Sequence, residues 1–227
     1  MKTALAFLLL IVVILVLRMP FLPGEKPVAQ PVAGLPWQIE VLPEGGSRVF
    51  ELTLARSTLA EARQRFGRDM EIAVVAAPGE PGALEAYLSS VTAGVIMGKI
   101  ILVADVRREI VAQLRQRAIN SEYMDSSTRK YILHPDDLDL AWRAPIAGIT
   151  FIPATSIDEQ TVLGRFGVPG ERIRIDARVE HFLYPDKGLD LALDSRGKEV
   201  LQYIAPRQFA RLREPLVRAS IANTRDP

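Results

Sequence analysis

Ser57-Thr58-Leu59-Ala60-Glu61-Ala62-Arg63-Gln64-Arg65-Phe66-Gly67 reads as a short helix ending in Phe-Gly, and Ser156-Ile157-Asp158-Glu159-Gln160-Thr161-Val162-Leu163-Gly164-Arg165-Phe166-Gly167 reads the same way. A strand-like run precedes each: Val49-Phe50-Glu51-Leu52-Thr53-Leu54 before the first, Ile149-Thr150-Phe151-Ile152 before the second. β-like segments follow each, then a Gly-Lys turn (Gly98-Lys99 and Gly197-Lys198) and an amphipathic helix. The chain therefore reads as a duplicated unit, and duplication specifies architecture before function. The expected fold class is α+β: an N-terminal transmembrane anchor, then two tandem units. Each unit has a short helix, an antiparallel three-to-four-stranded sheet and a C-terminal helix.

Local signals support the unit. Thr58 with Glu61, and Ser156 with Glu159, have capping-box spacing. Leu59, Ala62 and Phe66 share a helical face, as do Val162 and Phe166. Gly67 and Gly167 stand where a left-handed C-cap residue is wanted. Arg172 to Val179 alternates apolar and polar residues, and Phe182-Leu183-Tyr184-Pro185-Asp186-Lys187-Gly188-Leu189 reads as a hairpin. Pro206 suits the first turn of a last helix with Phe209, Leu212 and Leu216 as its stripe. The expected boundaries are 1–22 anchor or signal, 23–36 proline-rich linker, 37–125 first unit and 126–227 second unit.

The N-terminus differs in kind. Ala4 to Leu17 is an unbroken apolar run flanked by Lys2 and Arg18. As a helix it spans roughly 21 Å, against about 30 Å of bilayer hydrocarbon, and Met19, Phe21 and Leu22 extend it. No good pair of small residues marks a cleavage site near its end, so an uncleaved anchor fits better than a cleaved signal. Pro20 and Pro23 argue against a buried core helix. The expected address is the inner membrane, single-pass, with the body in the periplasm; the alternative is a secreted or periplasmic protein after cleavage.

Composition narrows the function classes. Of 227 residues 48% are hydrophobic and 24% charged, ordinary globular usage, and the net charge of +1 gives no basic footprint for nucleic acid. The absence of cysteine excludes disulfides, thiol catalysis and a lipid-modified N-terminal cysteine. No nucleophile elbow, phosphate loop, dinucleotide fingerprint or zinc pattern occurs, so no cofactor and no metal is expected. His134 precedes Pro135, Asp136, Asp137 and Asp139 and reads as a solvated turn rather than a metal site. His181 lies beside Glu180, but adjacent strand residues point to opposite faces, so the two do not converge.

The order short helix, Phe166-Gly167-Val168-Pro169, strand, Phe182-Leu183-Tyr184-Pro185, Gly188-Leu189 and Gly197-Lys198-Glu199-Val200 resembles the small periplasmic SmpA/OmlA domain and β-lactamase-inhibitor-like domains. The likeness covers roughly 45 residues of the second unit and, more loosely, the first. It implies a non-catalytic bacterial cell-envelope protein that binds other proteins. The chain departs from that family in having two units and no lipidated cysteine.

The halves also differ. The strands of the first, Ile72-Ala73-Val74-Val75-Ala76, Val91 to Ile96 and Ile100-Ile101-Leu102-Val103, are apolar or small on both faces, and such a sheet is normally covered on both. Ala73, Val75 and Val95 are therefore candidate partner-binding residues. Arg172, Arg174 and Arg178 are candidates for an acidic partner, with cross-strand pairing to Asp190 or Asp194 as the simpler account. Tyr184 is a candidate contact or a packing residue. The expected function is a membrane-anchored protein-binding or scaffold module with a protein partner in the envelope. The alternative is an exported hydrolase-like enzyme with a site between the units.

Overall fold

The computed structural model of the chain describes residues 32–124 and 127–225. A small sheet comes first, with β1 (Glu40–Val41), β2 (Ser47–Val49) and β3 (Leu52–Thr53). There follow α1 (Leu59–Phe66), β4 (Glu71–Ala76), β5 (Ala83–Ala93), β6 (Ile96–Ala104), α2 (Arg108–Gln116), β7 (Asn120–Tyr123) and β8 (Arg129–Ile132). The remainder is α3 (Leu138–Trp142), β9 (Ile146–Pro153), α4 (Glu159–Phe166), β10 (Glu171–Arg174), β11 (Val179–Tyr184), β12 (Leu189–Asp194), β13 (Val200–Ile204) and α5 (Ala210–Arg225).

The expectation of tandem units with separate sheets is corrected. One ten-stranded antiparallel sheet runs β10-β11-β12-β13-β9-β6-β5-β4-β8-β7. Its seam is β9, which pairs with β6 (Ile100 opposite Phe151, Leu102 opposite Ile149) and with β13 (Leu201 opposite Phe151, Tyr203 opposite Ile149). An apolar strand left at an edge exposes a row of unpaired backbone groups, and pairing on both sides satisfies them. The β7–β8 hairpin, which straddles residue 125, turns back to pair with β4.

The transmembrane anchor, membrane attachment through it, and the inner-membrane and periplasmic address are also corrected. No helix among the described residues is long and apolar enough to cross a membrane. Ala4–Leu17, on which the anchor was placed, lies outside the described residues.

Gly98-Lys99 is not a turn. Gly98 lies inside β6 opposite Pro153, where a Cβ would stand 2.5 Å from the Ile152 carbonyl oxygen and 2.6 Å from the Phe151 ring. The β5–β6 turn is Gly94-Val95, with Gly94 at φ +64° in the first central position of a two-residue loop. α1 carries the expected capping box, whereas α4 is capped by Asp158, whose Oδ1 accepts the Thr161 N–H at 2.8 Å.

The run Val49–Leu54, expected as one strand, is a hairpin turning at Phe50 and Glu51, both with positive φ (53° and 65°). Such a turn favours Asn-Gly, and each non-glycine residue here costs about 1–2 kcal/mol. Tertiary burial overrides that cost. Phe50 is 1% exposed and meets Phe66, Phe151 and Tyr203 with ring centroids 6.3, 5.5 and 5.3 Å away. The turn exists to drive that ring into the seam.

One face of the large sheet is sealed by α1, α2, α3, α4 and the small sheet, whose buried residues join one cluster with Val74, Leu84, Ile100, Phe151, Leu191 and Phe182. On the other face, among the described residues, α5 covers one end, packing Leu212, Leu216 and Val217, with Phe209 just before them, on Ile173, Leu183 and Ile204. α5 also closes the β10 edge: Ser220 Oγ donates to the Arg174 carbonyl and Asn223 Nδ2 to the Ile175 carbonyl.

Truncating Phe50 to Ala is expected to lower stability by about 3–5 kcal/mol, the usual cost of an emptied phenylalanine site. Val95→Ala, at a hairpin tip that is 70% exposed, should change it by no more than about 0.5 kcal/mol. Urea unfolding of the two variants checks both values.

Candidate functional site

Side chains of a strand alternate between faces, so the register alone maps what α5 leaves open. One row across the sheet reads Ile132, Ala73, Glu85, Val103 and Gly148 on β8, β4, β5, β6 and β9. The next row reads Glu71, Tyr87, Ile101, Thr150 and Gln202. On the preceding side lie Lys130, Val75 and Ala83. Their partners one residue along each strand, such as Val74, Leu84, Ala86, Leu102 and Ile149, are buried, while most of these rows are only half-buried. Two rows of five strands and one of three, with strands about 4.8 Å and rows about 6.8 Å apart, give a field on the order of 400 Å². The field is apolar around Glu85 and polar at Glu71, Lys130, Thr150 and Gln202, and its size is that of the largest patch on a typical monomer, which is often functional.

Two charge features mark the field. The Lys130 ammonium pairs with Glu71 across the row that holds Ala73, which explains why Ala73 is only 4% exposed. Glu85 stands between Ala73 and Val103 and has no ion-pair or hydrogen-bond partner among the described residues. Burial among these apolar neighbours holds its carboxyl above the usual glutamate range.

The expected site residues separate. Ala73 and Val75 lie on the open face, as both sit on the opposite side of β4 from buried Val74. Val95 does not join them; it projects at the β5–β6 turn with exposed Met97 nearby. The three arginines are all engaged: Arg172 with Glu159 at 2.8 Å and over the Phe182 ring, Arg174 with Glu180 at 2.9 Å, Arg178 with Asp194 at 3.2 Å. Tyr184 is 4% exposed and donates its hydroxyl to the Gly167 carbonyl at 2.9 Å, so it packs the end of α4.

Asp190 does not pair with an arginine. It is 1% exposed and takes the His181 Nδ1 at 2.8 Å on the face that α5 partly covers. Hairpin parity was the missed signal: Tyr184 opposite Leu189 puts residues 181 and 190 diagonally on one face. His134 is on the far side of the sheet, after β8, with its Nδ1 accepting from the Asp136 N–H. The two histidines therefore do not form one site. No group of three or more His, Asp or Glu among the described residues is placed to hold a metal ion.

No family model, no curated protein and no solved structure matches this chain.

The raised folded-state pKa of Glu85 fixes the sign of a pH effect. Its ionised form is penalised by folding, so the penalty is full above the folded pKa. It fades as pH falls and is gone below the unfolded value of 4.5. Glu85→Gln is therefore expected to melt higher than the parent at neutral pH, with the difference closing in acid. Melting temperatures of both proteins across that range check it.

Proposed function

We propose that this chain is a non-catalytic protein-binding module. Its docking surface is the open face centred on Glu85, Ile101 and Val103. The observation carrying the reading is the unpaired, partly desolvated Glu85 carboxylate inside an apolar field. An apolar face alone says little about its cover, but a carboxylate held there costs stability without a counter-ion. A partner laying down apolar side chains with one Lys or Arg opposite Glu85 buries the field and neutralises the charge together. The resemblance of the second half to SmpA/OmlA-like domains points the same way. The hydrolase alternative lacks support, because the His181–Asp190 pair has no nucleophile hydrogen-bonded to it among the described residues.

A photo-crosslinking residue tests this reading in the full-length chain in its own cells. Placed at Ile101 it should give a discrete protein adduct, and at Val168, 87% exposed elsewhere, it should give none. Val75→Asp in the same chain should abolish the Ile101 adduct while the far-ultraviolet spectrum is unchanged. Equal adducts from both positions, or an Ile101 adduct that survives Val75→Asp and Glu85→Lys alike, would end the docking reading.

A further inference from the structure

On the sealed side of the sheet, a recess lies between the start of α4 and the ends of β12 and β13. It is lined by four carboxylates, Asp158, Glu180, Asp194 and Glu199, and by two arginines. The arginines are spent, Arg174 on Glu180 at 2.9 Å and Arg178 on Asp194 at 3.2 Å. Asp158 is committed to capping α4, its carboxylate held below the usual aspartate range by the hydrogen bonds from Thr161. That leaves Glu199, which is 7% exposed, with an enclosed Oε2 that has no hydrogen-bond partner among the described residues. The neighbouring Lys198 does not serve it, because its ammonium donates to the Ala154 carbonyl at 3.0 Å.

A buried carboxylate oxygen without a donor is costly, and each such group in a folded protein calls for an explanation. From this recess we infer that Glu199 is the floor of a binding site for an alkylammonium cation. Four carboxylates against two arginines leave the recess net negative, so it favours a cation. A divalent metal is the poorer fit, since no three acidic or histidine ligands converge among the described residues. Ile157 and Leu193 line the same recess and give a methylene stem apolar contact while the ammonium head reaches Glu199. A lysine side chain and a free aliphatic diamine share this chemistry. The site is independent of the docking reading above, being built on the opposite face of the sheet.

The test is calorimetric titration of the intact chain at neutral pH with pentylammonium chloride, with pentanol as the neutral isostere and magnesium chloride as the metal arm. The expected result is saturable binding of pentylammonium alone, weakened about tenfold or more in Glu199→Gln. Amide shifts confined to Ile157, Leu193 and Glu199 give a second readout on the unaltered protein. Comparing cadaverine with Nα-acetyl-lysine amide, whose ε-ammonium is free, tells which source the site prefers, and preferential binding of either supports it. Pentylammonium binding no better than pentanol, tighter binding of magnesium, or undiminished affinity in Glu199→Gln would overturn the assignment.

Discussion

The ladder between β6 and β9 is the constraint on which the rest of this fold depends. It turns two meanders, β4-β5-β6 and β10-β11-β12-β13, into one sheet, because β9 takes β6 on one side and β13 on the other. Close approach is written into it at Gly98, where any side chain would strike Phe151 and the Ile152 carbonyl. Phe50 then closes the seam from above, edge-on to Tyr203 and tilted against Phe151. The Phe50-Glu51 turn is locally unfavourable and globally required, since the burial of one aromatic ring outweighs the strain of two left-handed residues. Removing the ring takes away the compensation and leaves the strain.

A single sheet has consequences for its faces that two separate sheets would not. Among the described residues most helices and the small sheet gather on one side, and α5 is what packs on the other. α5 is anchored at the β10 edge by Ser220, Asn223 and the Arg213–Glu171 pair, which fixes it over β10, β11 and β13. The open field over β4, β5, β6 and β8 is thus a result of where the last helix is tied. The apolar two-faced strands and the uncovered face are the same fact seen in sequence and in space.

Much of the local structure was legible, and most of the long-range structure was not. Thr58 and Glu61 announced their cap, Pro206 its helix start, and Tyr184-Pro185 with Gly188 their hairpin, because each signal acts within a few residues. Ala73 and Val75 were singled out for the lack of polar alternation in their strand. Nothing local says that Ile149–Ile152 pairs across to Ile100–Leu102, so each half was expected to carry a three-to-four-stranded sheet and their joining into one stayed open. Val49–Leu54 alternates like a strand, and only the tertiary pull on Phe50 breaks it. Glu85 went unread because a lone acid in an apolar run means something only once its neighbours across the sheet are known. For Arg172, Arg174 and Arg178 cross-strand pairing was the simpler account, and Arg178 does take Asp194; Glu159 and Glu180, the partners of Arg172 and Arg174, went unread because they come from other elements.

Glu85 and Glu199 lie on opposite faces, and together they separate stability from function in this chain. Glutamine at Glu85 keeps the volume and sheds the cost of a desolvated charge. Elsewhere the fold is careful with its carboxylates: Glu171 takes Arg213, Asp176 takes the backbone N–H groups of Arg178 and Val179, and Asp194 takes the Arg196 N–H and Arg178. Against that background Glu85 in its mainly apolar field and the unpartnered Glu199 Oε2 in its charged recess stand apart. On the readings proposed above, each is a place where a bound cation would recover free energy that the unbound chain forgoes, as sites built for binding retain such residues at a cost to the unbound state.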